Sequence, residues 1–290
     1  MIKITYKENI TQAYYDDLSK RKFKKEENKT LEEIYNEKFK SNFGYELSDL
    51  VYGSFERLKE IKQKLGVMSD SDVKNIFNYE TKFQPIISKF FEKNIEIHTC
   101  YYCNIDSVNV FNDFKGESKN GFTLDHVLDK GSYPYLGLSL YNFVPSCYVC
   151  NSKLKRSQQI DDISPTSNAF NFNEKVKFKT FMNNENLQIK IVEDFNVLLK
   201  EDFSDIYQKY IEVFELNGRY EYYKYRVIEM INKRKEYPDS RIKELAKLTE
   251  KTEEEVKQDL FGEYLFENDK LHKRPLSKLI KDISNELGIL

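Results

Sequence analysis

Apolar residues recur at helical spacing through the first third of the chain. Leu47, Leu50, Val51, Phe55, Leu58, Ile61 and Leu65 fall three or four positions apart. That stripe predicts an amphipathic helix over 47–65 with its apolar side turned to a core. Thr30 followed by Glu33 is a capping box, in which hydroxyl and carboxylate each satisfy a free backbone N–H, and it predicts a helix over 31–39. The segment 83–91, FQPIISKFF, predicts another amphipathic helix. Residues 1–95 therefore read as one helical region.

The pattern changes over 96–160. Gly121-Phe-Thr-Leu-Asp-His126 and Tyr141-Asn-Phe-Val144 are short runs of β character, separated by a loop with Gly131, Pro134 and Gly137. A basic helical start follows at 152–156. Two short strands and then a helix is the expected order.

Beyond a polar linker at 161–173, strands are expected at 176–181, 187–192 and 195–199, and a long helix over 218–235. Tyr237-Pro238 ends that helix. A helical pair is expected at 241–248 and 253–260, with Thr252 and Glu255 as capping box, and Pro275 opens a last helix to 287. The predicted fold class is α+β and mostly helical. It has three parts: the helical region 1–95, a small core at 96–160, and a mixed region 161–290 of short strands followed by helices.

Composition narrows the class. With 290 residues, 32% of them charged and 40% hydrophobic, the chain is long enough to bury a core and has a globular balance. No apolar run reaches the roughly 18 residues of a membrane span, and the opening MIKITYKENI lacks the apolar stretch of a secretory signal. A cytoplasmic protein without membrane contact is the expectation. The net charge of −2 does not advertise a polyanion binder, although phosphate binding depends on local patches. The 21 Tyr and 21 Phe read as core, with a minority available to stack on bases.

All four cysteines fall in two C-x-x-C pairs, Cys100/Cys103 and Cys147/Cys150. A reducing compartment argues against disulfides, and four thiolates suit tetrahedral Zn²⁺. The alternatives are a dithiol redox motif or inert buried thiols; a redox motif uses one pair beside a βαβ pattern, and here there are two pairs without it. The 43 residues of 104–146 between the pairs exceed the roughly 15–20 of a zinc ribbon, so something is inserted.

That insert carries hard ligands. Asp125 and His126 close the first β-like run, and Asn151 follows Cys150 directly. A structural zinc would pin Asn151 at the start of the helix, facing the strands. Carboxylate and amide oxygens suit Mg²⁺ or Mn²⁺, which keep most of their coordination sphere for water and phosphate. His126, on the opposite face of its strand, stays off the cation, and an imidazole of pKa about 6.5 suits a general base near neutrality.

Leu124-Asp-His-Val127 and Tyr141-Asn-Phe-Val-Pro-Ser-Cys-Tyr-Val-Cys-Asn-Ser-Lys153 together resemble the signature of the HNH, or ββα-metal, endonucleases. The similarity is to the four-cysteine zinc subgroup that includes phage endonuclease VII, and it covers about 60 of the 290 residues. It implies a ββα core with structural zinc on Cys100, Cys103, Cys147 and Cys150. It implies Asp125 and Asn151 as ligands of a catalytic Mg²⁺ or Mn²⁺, and His126 as general base. It implies that Asn142 braces the hairpin loop through backbone hydrogen bonds. The implied reaction is phosphodiester hydrolysis, with DNA as the expected substrate and 5′-phosphate and 3′-hydroxyl ends. Many members carry a proline near position 129; this chain reads Val127-Leu-Asp-Lys-Gly131, so the loop conformation is not carried over.

Lys153, Lys155 and Arg156 are candidate phosphate contacts, weighed evenly against a solvated helix face. The run 20–25, KRKFKK, reads more readily as solvated. His98 is expected at the surface or beside the ligands rather than on the zinc. The pair 241–260 has a helix-turn-helix rhythm, but Glu253, Glu254, Glu255 and Asp259 would repel phosphate, which favours packing or partner docking. The flanking regions resemble, more loosely, HNH effectors of bacterial anti-phage systems, which often act with an ATPase partner. Two other classes stand beside the nuclease: a non-catalytic zinc-stabilised module that binds nucleic acid or protein, and a dithiol redox protein.

Overall fold

The computed structural model describes residues 1–160, 163–183 and 188–290. It is α+β and mostly helical, and each of its sheets has two strands. Among the described residues no helix is long and apolar enough to cross a membrane. The chain forms two compact units, Lys3–Ile97 with Val108–Phe170, and Met1–Ile2 with His98–Ser107 and Asn171–Leu290. This differs from the three-part reading of the sequence: the N-terminal helices and the hairpin of the middle segment belong to one unit.

In the first unit, α1 (Glu8–Ser19) leads to a two-residue-strand hairpin, β1 (Lys22–Phe23) and β2 (Lys29–Thr30). Then come α2 (Leu31–Lys38), α3 (Lys40–Phe43), α4 (Leu47–Tyr52), α5 (Phe55–Leu65), α6 (Ser71–Ile76) and α7 (Gln84–Asn94). The Thr30/Glu33 capping box forms at α2. The single helix expected over 47–65 is two, because Gly53 and Ser54 interrupt it. The Ser54 hydroxyl accepts from the Arg57 N–H and starts α5. A Cβ on Gly53 would lie 2.3 Å from the Asp49 carbonyl oxygen, so the bend requires glycine.

Two hairpins follow, β3 (Val110–Asn112) with β4 (Ser118–Asn120), and β5 (Thr123–His126) with β6 (Phe143–Ser146). The first was not visible in the apolar pattern, since its strands are largely exposed. The second strand of the second hairpin begins two residues later than expected, because residues Leu140–Asn142 form a 3-10 turn. A wide helical turn, π-type, covers Val149–Lys155 and ends at Arg156, whose φ is 47°. Aromatic rings tie the hairpin to the helices. Phe143 of β6 packs on Phe91 of α7 at 5.9 Å and on Tyr79 at 5.4 Å, and Tyr14 of α1 packs on Phe90 at 5.0 Å.

In the second unit, α8 (Phe172–Lys175) leads to the hairpin β7 (Val176–Met182) and β8 (Phe195–Glu201). The strand expected over 187–192 is not formed in its described part: Leu187 lies outside the described residues, and residues 188–191 are irregular. After α9 (Gln208–Val213), the long helix expected over 218–235 divides into α10 (Leu216–Glu221) and α11 (Lys224–Glu236). Then come α12 (Asp239–Thr249), α13 (Glu253–Phe261) and α14 (Ser277–Glu286). The Thr252/Glu255 capping box forms. The last helix starts after Leu276, held at φ 62°, rather than at Pro275. Helices α12 and α13 share a buried cluster of Ile242, Ala246, Val256, Phe261, Leu265 and Ile289, so their apolar faces are consumed by packing.

Candidate functional site

The two C-x-x-C pairs come together. Cys100, Cys103, Cys147 and Cys150 are buried and free of disulfides, and their sulfurs lie within 4.8 Å of one another. Tetrahedral zinc with Zn–S of about 2.3 Å needs sulfur–sulfur edges of about 3.8 Å, so the group could hold a metal ion such as zinc. Each pair sits on a turn that aims amide protons at sulfur. The Ile105 N–H donates to Cys103 Sγ and the Cys150 N–H to Cys147 Sγ, both at 3.4 Å. Arg219 adds a cationic donor 3.5 Å from Cys103 Sγ and pairs with Asp106 at 3.3 Å.

The Cys100–Cys103 turn is held by distant groups that no spacing rule names. The Tyr220 and Tyr210 hydroxyls donate to the Cys103 and Tyr102 carbonyls at 2.6 and 2.9 Å. Buried Asn104 donates to the Leu271 and Arg274 carbonyls and accepts from the Lys278 N–H. His98 lies 6.2 Å from His272, ring to ring, and is half-buried.

Asp125, His126 and Asn151 border one pocket of about 670 Å³ in the first unit. Among the described residues strand β5 pairs with β6 alone, and the successive residues 122 to 126 line the pocket. The helices contribute Tyr79, Glu80, Gln84 and Ser88; the end of β4 contributes Asn120; a loop contributes Asp129 and Lys130; Arg156 completes the rim.

His126 is buried between the rings of Tyr79 and Phe143, each 4.7 Å from it. Its Nε2 lies 3.0 Å from the Gly137 carbonyl oxygen. A carbonyl only accepts, so Nε2 carries the proton and Nδ1 keeps its lone pair. Burial, and then the charge of Lys130, lowers the imidazole pKa to about 3, against the smaller opposing effect of the Gly137 bond. The ring is therefore neutral near pH 7.

The Asn151 side-chain amide donates to Thr123 Oγ1 at 3.0 Å. Thr123 has given its own proton to the Ser146 carbonyl, also at 3.0 Å, so it accepts from Nδ2 and leaves Asn151 Oδ1 as the amide's acceptor. Asn142 is fully buried and closes the loop between the strands. Its Oδ1 accepts from the Leu128 N–H at 2.6 Å, and its Nδ2 donates to the Leu128 and Leu136 carbonyls at 3.0 Å. Asp129 organises the adjoining turn by accepting from the Ser132 N–H and hydroxyl at 2.8 Å and from the Gly131 N–H at 3.2 Å.

The three basic residues expected on phosphate part company. Lys153 is exposed, and Arg156 is exposed at the pocket rim. Lys155 is not on a solvated face: it is buried, with Nζ 3.2 and 3.0 Å from the two Asp125 oxygens and 3.0 Å from the His126 carbonyl oxygen. The wide turn that ends at Arg156 directs it inward. Sequence reasoning named Asp125, His126 and Asn151 but missed Tyr79, Gly137 and the inward Lys155. None of the three carries a spacing signal, because each reaches the site through tertiary packing. No protein family, curated protein or solved structure matches this chain.

Proposed function

We propose that the chain is a divalent-cation-dependent endonuclease of the HNH type acting on DNA, with a structural zinc on its four cysteines. The observation that carries this reading is the sharing of one polar pocket by Asp125, Asn151 and a neutral His126 whose Nδ1 is free to take a proton. In the mechanism, His126 Nδ1 removes a proton from water as it attacks phosphorus in line, the P–O3′ bond breaks, and the departing 3′ oxygen takes a proton from solvent; Gly137 and the Tyr79 and Phe143 rings hold the imidazole for that role. The Asp125 carboxylate and Asn151 Oδ1 are hard donors that fit Mg²⁺ or Mn²⁺, and the bound cation would offset charge developing on the phosphate. Arg156 at the rim and exposed Lys153 would steer the backbone. Asn142 fixes the loop that carries Gly137 toward His126. A role in anti-phage defence beside an ATPase partner rests on the looser sequence resemblance alone.

The Lys155–Asp125 pair favours a second reading, in which that carboxylate is only structural and the chain is a zinc-stabilised binding module. Digestion of plasmid DNA and of DNA and RNA oligonucleotides separates the two. The nuclease reading expects nicking or cleavage of DNA with Mg²⁺ or Mn²⁺, stopped by chelation of the cation. Binding without cleavage under every metal would establish the module instead.

A further inference from the structure

Lys155 is a charged group where charge is costly. Its side chain is 3% exposed, and the Asp125 side chain it meets is 5% exposed. An ammonium has three protons, and Lys155 has three oxygens within reach, both carboxylate oxygens of Asp125 and the His126 carbonyl. The carboxylate that would bind a divalent cation is therefore already engaged by a tethered monovalent one. Two cations on one carboxylate repel, so an incoming ion binds against the charge of the ammonium.

We propose that Lys155 is a positioning residue that sets the affinity of Asp125 for a divalent cation. This rests on the assignment of Asp125 as a cation ligand. Without a cation, Lys155 holds the carboxylate in place and offsets its charge. With one, it retreats from an oxygen and weakens the ion's hold. The site then takes Mg²⁺ or Mn²⁺ poorly alone, and a phosphate bringing further oxygens and negative charge favours the loaded state.

Mn²⁺ binding to the full-length, zinc-loaded protein tests this without any cleavage assay, through the paramagnetic resonance signal of free Mn²⁺. Lys155→Gln should bind Mn²⁺ about tenfold more tightly than the wild type or better, since a fixed positive charge is gone. Lys155→Arg, which keeps the charge, should stay within about threefold of wild type. Asp125→Asn added to Lys155→Gln should abolish the gain. Equal or weaker Mn²⁺ binding by a folded Lys155→Gln overturns the proposal.

If Lys155→Gln does not fold, the wild type still decides. The ¹⁵N signal of the Lys155 ammonium should shift saturably on titration with Mg²⁺, and a signal indifferent to Mg²⁺ overturns the proposal. Tighter Mn²⁺ binding by the variant with no cleavage by the wild type would uphold this inference and end the nuclease reading. Cleavage with unchanged Mn²⁺ affinity would do the reverse.

Discussion

The four-cysteine group and the pocket beside β5 differ in how their charge is balanced. Four thiolates would carry a net −2 with a Zn²⁺ ion, and the donors to their sulfurs include those of their own turns, the Ile105 and Cys150 amides, joined by Arg219. The pocket balances its acid with Lys155, a side chain from a helical turn about 30 residues later in the chain. The cysteine ligands are thus written in short repeated spacings, whereas the partner of Asp125 is one that only the fold brings near. The two sites meet in the chain at Asn151, which lines the pocket and follows Cys150 directly.

That asymmetry can be broken experimentally. Cys150→Ser should remove stoichiometric zinc and lower the melting temperature by roughly 10–20 °C, the consequence of losing several kcal/mol of metal-linked folding energy. It should also abolish cleavage, since Asn151 loses its anchor. Metal analysis and calorimetry check both, and full zinc content in the variant would contradict the four-thiolate assignment.

A pocket change should leave the zinc alone. Asn142→Ala strips partners from the Leu128 N–H and from the Leu128 and Leu136 carbonyls in a buried loop. The expected cost is about 2–4 kcal/mol of unfolding free energy, measured by denaturant titration. Cleavage should fall roughly tenfold as the His126 tether loosens, with one zinc per chain retained.

The smallest effect sharpens the electrostatics. His126 has a folded pKa of about 3, below its ordinary value. The stability tied to its neutral form is complete above the unfolded imidazole's pKa of about 6.5 and is lost as pH falls from there toward 3. For the same reason the cleavage rate should change by less than about twofold between pH 8 and pH 6, where an ordinary imidazole would lose about fourfold. A pH–rate profile with an acid limb centred near 6.5 would show that His126 is not held neutral.

Much of this was legible in the sequence, for identifiable reasons. Capping boxes at Thr30 and Thr252 marked helix starts correctly because their hydrogen bonds are local. The cysteine group was legible because ligand chemistry and spacing are written in one place. Helix continuity was not: the breaks at Gly53-Ser54 and at Tyr222-Tyr223 lie inside unbroken apolar stripes, and side-chain periodicity does not report where the backbone turns. Lys155, with basic neighbours, reads from the sequence equally as a phosphate contact or as part of a solvated helix face. Its inward course depends on the widened turn and the left-handed Arg156, which local pattern does not encode.

In the proposed reaction, His126 Nδ1 takes the proton from water beside a divalent cation. Single-turnover cleavage of plasmid DNA with Mg²⁺ and Mn²⁺, wild type beside His126→Ala, tests it most directly. The variant should lose about 10²–10⁴-fold in rate, with zinc content and melting temperature near those of the wild type. A variant that cuts within a few-fold of the wild type would contradict it.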